Sequence, residues 1–144
     1  MHCNYGRSVT DHQYLSQFHL TDNNAISVLT YGVTGISKDP IREVRVVGHT
    51  DCGGVSACHR AVRPGSNNFP TPDSVLWAWL GPLRELAWLR RNDRETVDEL
   101  AVRNVRAQIQ NVKVVLDRLG KVPNVQVKGY LYHVANGRLE PVSE

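Results

Sequence analysis

A β-branched run that leads directly into a glycine-containing segment constrains the fold of this chain most. The run EVRVVGH at residues 43–49 carries three valines and is typical of a buried strand. TDCGGVSACHRAV follows it at once, and its paired glycines and apolar spacing predict a tight loop and then a helix. Open α/β sheets place their sites beyond the carboxyl ends of strands, where loops become helices. His49 and Cys52 lie at such a position.

The segments before this strand differ from each other in patterning. Residues 1–20 show no sustained period, and we expect an irregular N-terminal arm, or one short strand or helix. Asp22 suits the N-cap of a helix over residues 23–37, where apolar side chains recur at helical spacing.

Helices and a closing hairpin are expected after the strand. Residues 63–73 form a polar, proline-rich loop, and Gly81-Pro82 should break or kink the helix that follows. A helical stripe covers residues 94–119 and should stop at Gly120. The tail alternates as a strand does, and Asn136-Gly137 indicates a hairpin turn. These elements favour an α/β fold, with a parallel-rich sheet flanked by helices and an antiparallel edge near the C-terminus.

Composition narrows the class of protein. The 144 residues fit a single domain covering 1–144. The net charge of +3 comes from scattered arginines, so no nucleic-acid partner is expected. No apolar run approaches the ~18 residues that span a bilayer, so no membrane partner is expected. Three cysteines without an apolar leader near Met1 argue against a disulfide scaffold and predict a cytoplasmic protein.

His49 and Cys52 carry the sharpest chemistry. An imidazole and a thiolate three positions apart in a loop can reach the same ion, and zinc accepts mixed nitrogen and sulfur ligands. Gly53 and Gly54 would let the backbone pass close to the metal and begin the helix with free N–H groups facing an anion. Two alternatives stay open on spacing alone: a Cys52 thiolate nucleophile with His49 as base, and two purely structural residues.

The flanking residues resemble a known family. VVGHTDCGGVSA is similar to the second metal-binding motif of the β-class carbonic anhydrases, in which a strand delivers histidine and cysteine to zinc. NAISVLTY resembles the family helix before that strand, and LAVRNVRAQIQNV with VQVKGYLYHVANGRL resembles its late helix and closing strand. The resemblance covers roughly residues 17–142. It implies a β-carbonic-anhydrase-like fold, and a homodimer or larger even oligomer with the site between subunits.

The resemblance also implies a cofactor and a reaction. Zn²⁺ would be held by two cysteines and one histidine, and the reaction would be the reversible hydration of carbon dioxide to bicarbonate, a lyase activity. Zinc lowers the pKa of a bound water, as is established for carbonic anhydrases, so hydroxide is available near neutral pH. The alternatives are a divergent member using zinc hydroxide on another small electrophile, and a non-catalytic zinc-binding homologue.

The chain departs from the family pattern near its start, which is shorter than in the family. The family carries C-x-D-x-R there, and the corresponding residues are Cys3, Tyr5 and Arg7. Cys3 is the candidate third zinc ligand, Arg7 would orient an anion such as bicarbonate, and Tyr5 offers a hydroxyl donor where the family has a carboxylate. If Cys3 does not bind the metal, the other candidates are His12, His19, Asp51 or a group from a partner chain.

Other distinctive side chains have structural explanations. Cys58 and His59 lie about two helical turns beyond Cys52, so we expect a packed cysteine and a surface histidine rather than further ligands. His133, in the last strand, is most simply structural. Three tryptophans are large enough to anchor a core or a subunit interface, namely Trp77, Trp79 and Trp88.

Overall fold

A four-stranded sheet lies at the centre of the computed structural model, which describes residues 12–15, 18–34, 39–65, 74–120 and 125–143. The strands in sheet order are β1 (His12–Leu15), β2 (Glu43–His49), β3 (Gln126–His133) and β4 (Arg138–Val142). β1 and β3 flank β2 and run parallel to it, and β4 is antiparallel to β3. The predicted α/β fold, with its parallel-rich sheet and antiparallel C-terminal edge, is confirmed.

Helices connect the parallel strands. The described segments contain α1 (Asn23–Val33), α2 (Gly53–Ala61), α3 (Val75–Trp79), α4 (Gly81–Trp88) and α5 (Val97–Leu119). α1 joins β1 to β2, and the other four lie between β2 and β3, as parallel strands require a crossover. None of these helices is long and apolar enough to cross a membrane.

α5 packs directly on the two central strands. Val105 and Ile109 of its buried stripe belong to the main apolar core, together with side chains of α1 and β2. Two strand glycines permit this close approach: a Cβ on Gly48 would lie 2.7 Å from Val105 Cγ2, and one on Gly129 would lie 2.6 Å from Ile109 Cδ1. The carboxyl end of β2 is therefore fixed against the long helix.

A second apolar cluster holds α2 in place. Val55 and Cys58 of α2 pack with Leu80, with Leu83 of α4 and with Leu100 of α5, and all five are buried. Because α2 begins at the loop after β2, this cluster also fixes the second half of the strand-loop-helix unit.

The N-terminal region matches one sequence-based expectation and departs from another. An irregular arm, or one short strand or helix, is expected over residues 1–20, and the described part contains the short strand β1, which joins the sheet through parallel pairing of His12 with Glu43. The helix expected over residues 23–37 ends at Val33, where the N–H and hydroxyl of Thr34 both donate to the Thr30 carbonyl. Residues 35–38 lie outside the described part of the chain.

The start of α5 also differs, because a capping box sets it. The helix expected from residue 94 begins at Val97, and Thr96 is its N-cap. The Thr96 hydroxyl accepts a hydrogen bond from the Glu99 N–H, and the Glu99 carboxylate accepts one from the Thr96 N–H.

The predicted chain breaks are confirmed. α3 and α4 are separate helices that meet at Leu80, immediately before Gly81-Pro82. Gly120 ends α5 with φ 75, and Gly137 turns the hairpin with φ 71. Both glycines have a left-handed backbone that other residues rarely adopt.

Candidate functional site

His49 lies at the carboxyl end of β2, opposite Tyr132 of β3, with its side chain exposed. Its Nδ1 is 2.9 Å from the carbonyl oxygen of Thr50. A carbonyl can only accept a hydrogen bond, so Nδ1 carries the hydrogen and Nε2 keeps its lone pair in the neutral ring. Metal-binding histidines commonly show this arrangement, in which the nitrogen away from the metal donates to a carbonyl.

Thr50 and Asp51 form the turn between β2 and α2. Thr50 is buried, and its N–H donates to the Tyr132 carbonyl at 2.9 Å, which extends the β2–β3 pairing one residue beyond the strand. The Asp51 backbone then takes a φ of 56°, in the left-handed region. Aspartate tolerates this conformation better than most side chains. Only residues 50–52 therefore separate the end of the strand from the start of the helix.

Cys52 is the N-cap residue of α2. Its backbone is extended, and its carbonyl accepts the first helical hydrogen bond from the Ser56 N–H at 2.9 Å. Within the described residues, its thiol makes no capping hydrogen bond and forms no disulfide, and the half-buried side chain packs against the second apolar cluster. The sulfur is therefore available as a donor atom.

Gly53 and Gly54 are the first two residues of α2. A Cβ on Gly53 would meet nothing within 4 Å, whereas one on Gly54 would be in ordinary contact with Leu80, at 3.4 Å. Gly53 borders a cleft of about 510 Å³, which Arg60 and two carboxylates also line. The complete lining is Asp51, Gly53, Ser56, Arg60, Thr96, Val97 and Asp98. The cleft therefore lies between one face of α2 and the start of α5, with charges of both signs around it. The proposed role of the two glycines stays a prediction.

A third metal ligand is not found in the described ranges. Within them, no group of three or more His, Cys, Asp or Glu side chains lies close enough to hold a metal ion. His19 and Asp51 therefore do not complete such a group with His49 and Cys52. The His19 ring instead stacks on Trp79, with the ring centroids 6.0 Å apart.

Several predicted site residues lie outside the described part of the chain, so their roles stay predictions. These are Cys3, Tyr5 and Arg7, together with the side chain of His12.

The residues that follow on α2 are held by packing and hydrogen bonds. Cys58 is fully buried, as expected, and burial, which outweighs the nearby Arg84 cation, raises the pKa of its thiol to about 11. His59 is half-buried rather than on the surface, because its Nε2 lies 2.7 Å from the Glu95 carbonyl oxygen and joins α2 to the segment before α5. His133 pairs with Glu140 across the hairpin, at 2.8 Å.

The tryptophans lie around the α3–α4 region rather than in the centre of the core. Trp77 and Trp79 are half-buried, and Trp88 is 53% exposed. The Arg84 guanidinium lies over the Trp77 ring, 3.8 Å from its centroid. A role for Trp88 in a subunit interface stays a prediction.

The parallel-rich α/β fold presents a histidine and a cysteine on one strand-loop-helix unit, and this combination can be compared with known protein families. The sequence profile of the carbonic anhydrase family matches residues 1–139. The chain therefore belongs to the β-carbonic anhydrase family.

Solved structures agree with this assignment. The β-carbonic anhydrase CafA of Aspergillus fumigatus is similar with a TM-score of 0.68 and 26% identity, over 89% of this chain and 61% of that protein. The fold is also shared with tetrameric β-carbonic anhydrases of Sordaria macrospora, with a TM-score of 0.69 and 20% identity, over 89% and 64%. The chain spans less than two thirds of these relatives. A search of curated proteins gave no significant match.

Proposed function

We propose that this chain is a zinc-dependent lyase that catalyses the reversible hydration of carbon dioxide to bicarbonate. Family membership supports the reaction class. One observation supports the metal: the His49 Nδ1–H bond to the Thr50 carbonyl leaves Nε2 available, three residues before Cys52, whose thiol forms no disulfide among the described residues. These two side chains are the protein's own donors for a soft, tetrahedral metal ion.

The donor set fits zinc by its chemistry. Imidazole nitrogen and thiolate sulfur are preferred zinc ligands, and a carbonyl that accepts from the other ring nitrogen is the usual support of such a histidine. We propose Cys3 as the third ligand. When bound by three protein groups, zinc would supply an acidified water at its open position.

The remaining site residues are proposed to bind the anion. Arg7 would orient bicarbonate, and Tyr5 would donate a hydrogen bond from its hydroxyl. The accessible backbone at Gly53 and the free N–H groups of the first turn of α2 would add donors, while Gly54 keeps that turn close to its neighbours.

The proposal also covers the oligomeric state and the cellular location of the protein. Because the S. macrospora relatives are described as tetrameric, we propose an even homo-oligomer for this chain too. A cytoplasmic location, drawn from the cysteine content, remains a prediction.

Zinc content and hydration rate in matched variants test the proposal. We expect the untagged wild type to bind about one equivalent of zinc and to accelerate carbon dioxide hydration in stopped flow. His49→Ala and Cys52→Ser should lose both properties. His133→Gln and Cys58→Ala, which change the same residue types away from the loop, should keep them.

The outcomes separate the alternatives. Stoichiometric zinc without hydration would favour the non-catalytic homologue, and zinc-dependent turnover of a different electrophile would favour the divergent enzyme. Cys3→Ala decides the third ligand, since its loss should weaken zinc binding only if Cys3 binds the metal. A wild-type protein that takes up no zinc would overturn the proposal.

A further inference from the structure

Thr50 uses all of its polar groups at the junction between β2 and β3. Its N–H donates to the Tyr132 carbonyl at 2.9 Å, and its hydroxyl accepts from the Val134 N–H at 3.0 Å. Its carbonyl accepts from His49 Nδ1 at 2.9 Å. Thr50 is 8% exposed, so these bonds form largely away from water. The carbonyl that orients His49 thus belongs to a residue with one hydrogen bond to β3 and a second to Val134, just beyond the end of β3.

We propose that Thr50 is a positioning residue of the metal site, and that its hydroxyl bond to Val134 fixes the carbonyl that orients His49. This role rests on the zinc function proposed above. Thr50 contacts neither metal nor substrate in this scheme, and its effect passes through the His49 ring.

The turn geometry explains why an external support is needed. Asp51 has a φ of 56°, which residues other than glycine rarely adopt. Such a conformation persists where surrounding contacts determine it. Cys52 follows immediately, so contacts that hold the turn also set the separation of the imidazole and the thiol. The Thr50 hydroxyl provides one of these contacts, to a residue 84 positions away in the chain.

The side chain of Thr50 suits a clean substitution. Valine replaces the hydroxyl by a methyl group of similar size and leaves the N–H and carbonyl in place, but it cannot accept from Val134. Serine keeps the acceptor and removes only the methyl group. The pair therefore separates the hydrogen bond from the packing of the side chain.

Metal binding by the full chain tests this role, with Zn²⁺ affinity measured by chelator competition and Co²⁺ binding measured by visible absorption. Thr50→Val should bind zinc about 10-fold more weakly, at the lower end of the range for residues that orient a ligand. Its Co²⁺ bands should shift or lose intensity. Thr50→Ser should keep the zinc affinity and the Co²⁺ bands of the wild type. Thr30→Val, which removes a hydroxyl bonded to the Ile26 carbonyl within α1, should match the wild type.

The outcomes are distinguishable from those of the proposed function. Wild-type zinc affinity and cobalt bands in Thr50→Val, even with lower thermal stability of the metal-free protein, would overturn the positioning role alone. A wild type that binds neither metal would refute this role and the zinc function together. If Thr50→Val does not fold, ¹⁵N NMR of metal-free wild type remains decisive, because a neutral His49 ring with its hydrogen on Nε2 would contradict the bond to Thr50.

Discussion

The close approach of α5 to the strand that carries His49 predicts the effect of a single methyl group at Gly48. A Cβ there would lie 2.7 Å from Val105 Cγ2, but 3.7 Å from the nearest atoms of Ala101 and Leu131. Only the first distance is too short for ordinary contact. Val105 is β-branched, helical and 1% exposed, so it has little rotamer freedom with which to move aside. Gly48→Ala should therefore push β2 away from α5.

The magnitude follows from the packing. Overpacking of a buried site costs about 1–3 kcal/mol, and we expect about 2 kcal/mol for Gly48→Ala. Val105→Ala removes two buried methyl groups, which costs about 1.6 kcal/mol in transfer free energy at about 0.8 each, with a cavity term in addition. In the double variant the added methyl group occupies space that the Val105 side chain has left. The two effects should then fall short of additivity by about 1–2 kcal/mol.

Urea unfolding of the wild type, the two single variants and the double variant measures this coupling. A chelator in the buffer removes any contribution from metal binding. Zinc affinity should follow the same pattern, because His49 is next in the chain: weaker in Gly48→Ala and partly recovered in the double variant. Unfolding free energies that add within about 0.5 kcal/mol would refute the reasoning, since they would show that the Gly48–Val105 contact does not limit the approach of the helix.

Three further predictions concern the same strand, its loop and the following helix. Asp51→Val should destabilise the fold by about 1–2 kcal/mol in thermal unfolding, because a β-branched residue fits a φ of 56° poorly, whereas Asp51→Gly should not. The pKa of Glu43 lies below its ordinary value of 4.5, chiefly because of its hydrogen bond with Lys128, so its contribution is present above that pH and lost as the pH falls through the folded value. Glu43→Gln should accordingly reduce the loss of unfolding free energy between about pH 6 and pH 3. Cys58, with its pKa raised to about 11 by burial, should alkylate much more slowly than Cys52 in metal-free protein at neutral pH, and equal rates by peptide mass mapping would contradict that burial.

The central strand could be predicted from the sequence because several local signals coincide there. β2 is rich in valine, Val44 and Val46 are buried, and a short turn followed by two glycines comes directly after it. The start of α5 also had a local signal, the Thr96 and Glu99 pair, but the apolar stripe extends the apparent helix toward residue 94. A capping residue decides the boundary here, and periodicity alone does not reveal it.

The position of β1 could not be predicted from local sequence patterning. Four residues are too few for a periodic signal, and the strand forms because His12–Leu15 pairs with a partner strand that begins about thirty positions later. The stabilising contacts are therefore non-local, and only the assembled sheet identifies this segment as a strand.

The candidate site likewise has a part that local sequence indicates and a part that depends on distant residues. The spacing of His49 and Cys52 suggests the metal-binding role proposed for them, but the support of the loop depends on Tyr132 and Val134 near the end of the chain. In the sequence, Thr50 resembles an ordinary polar loop residue, and nothing adjacent to it indicates that its hydroxyl is buried and bonded. The end of β3 and the loop are thus held together by hydrogen bonds. Substitutions that displace the end of β3 should weaken the proposed metal binding even though they remove no donor atom.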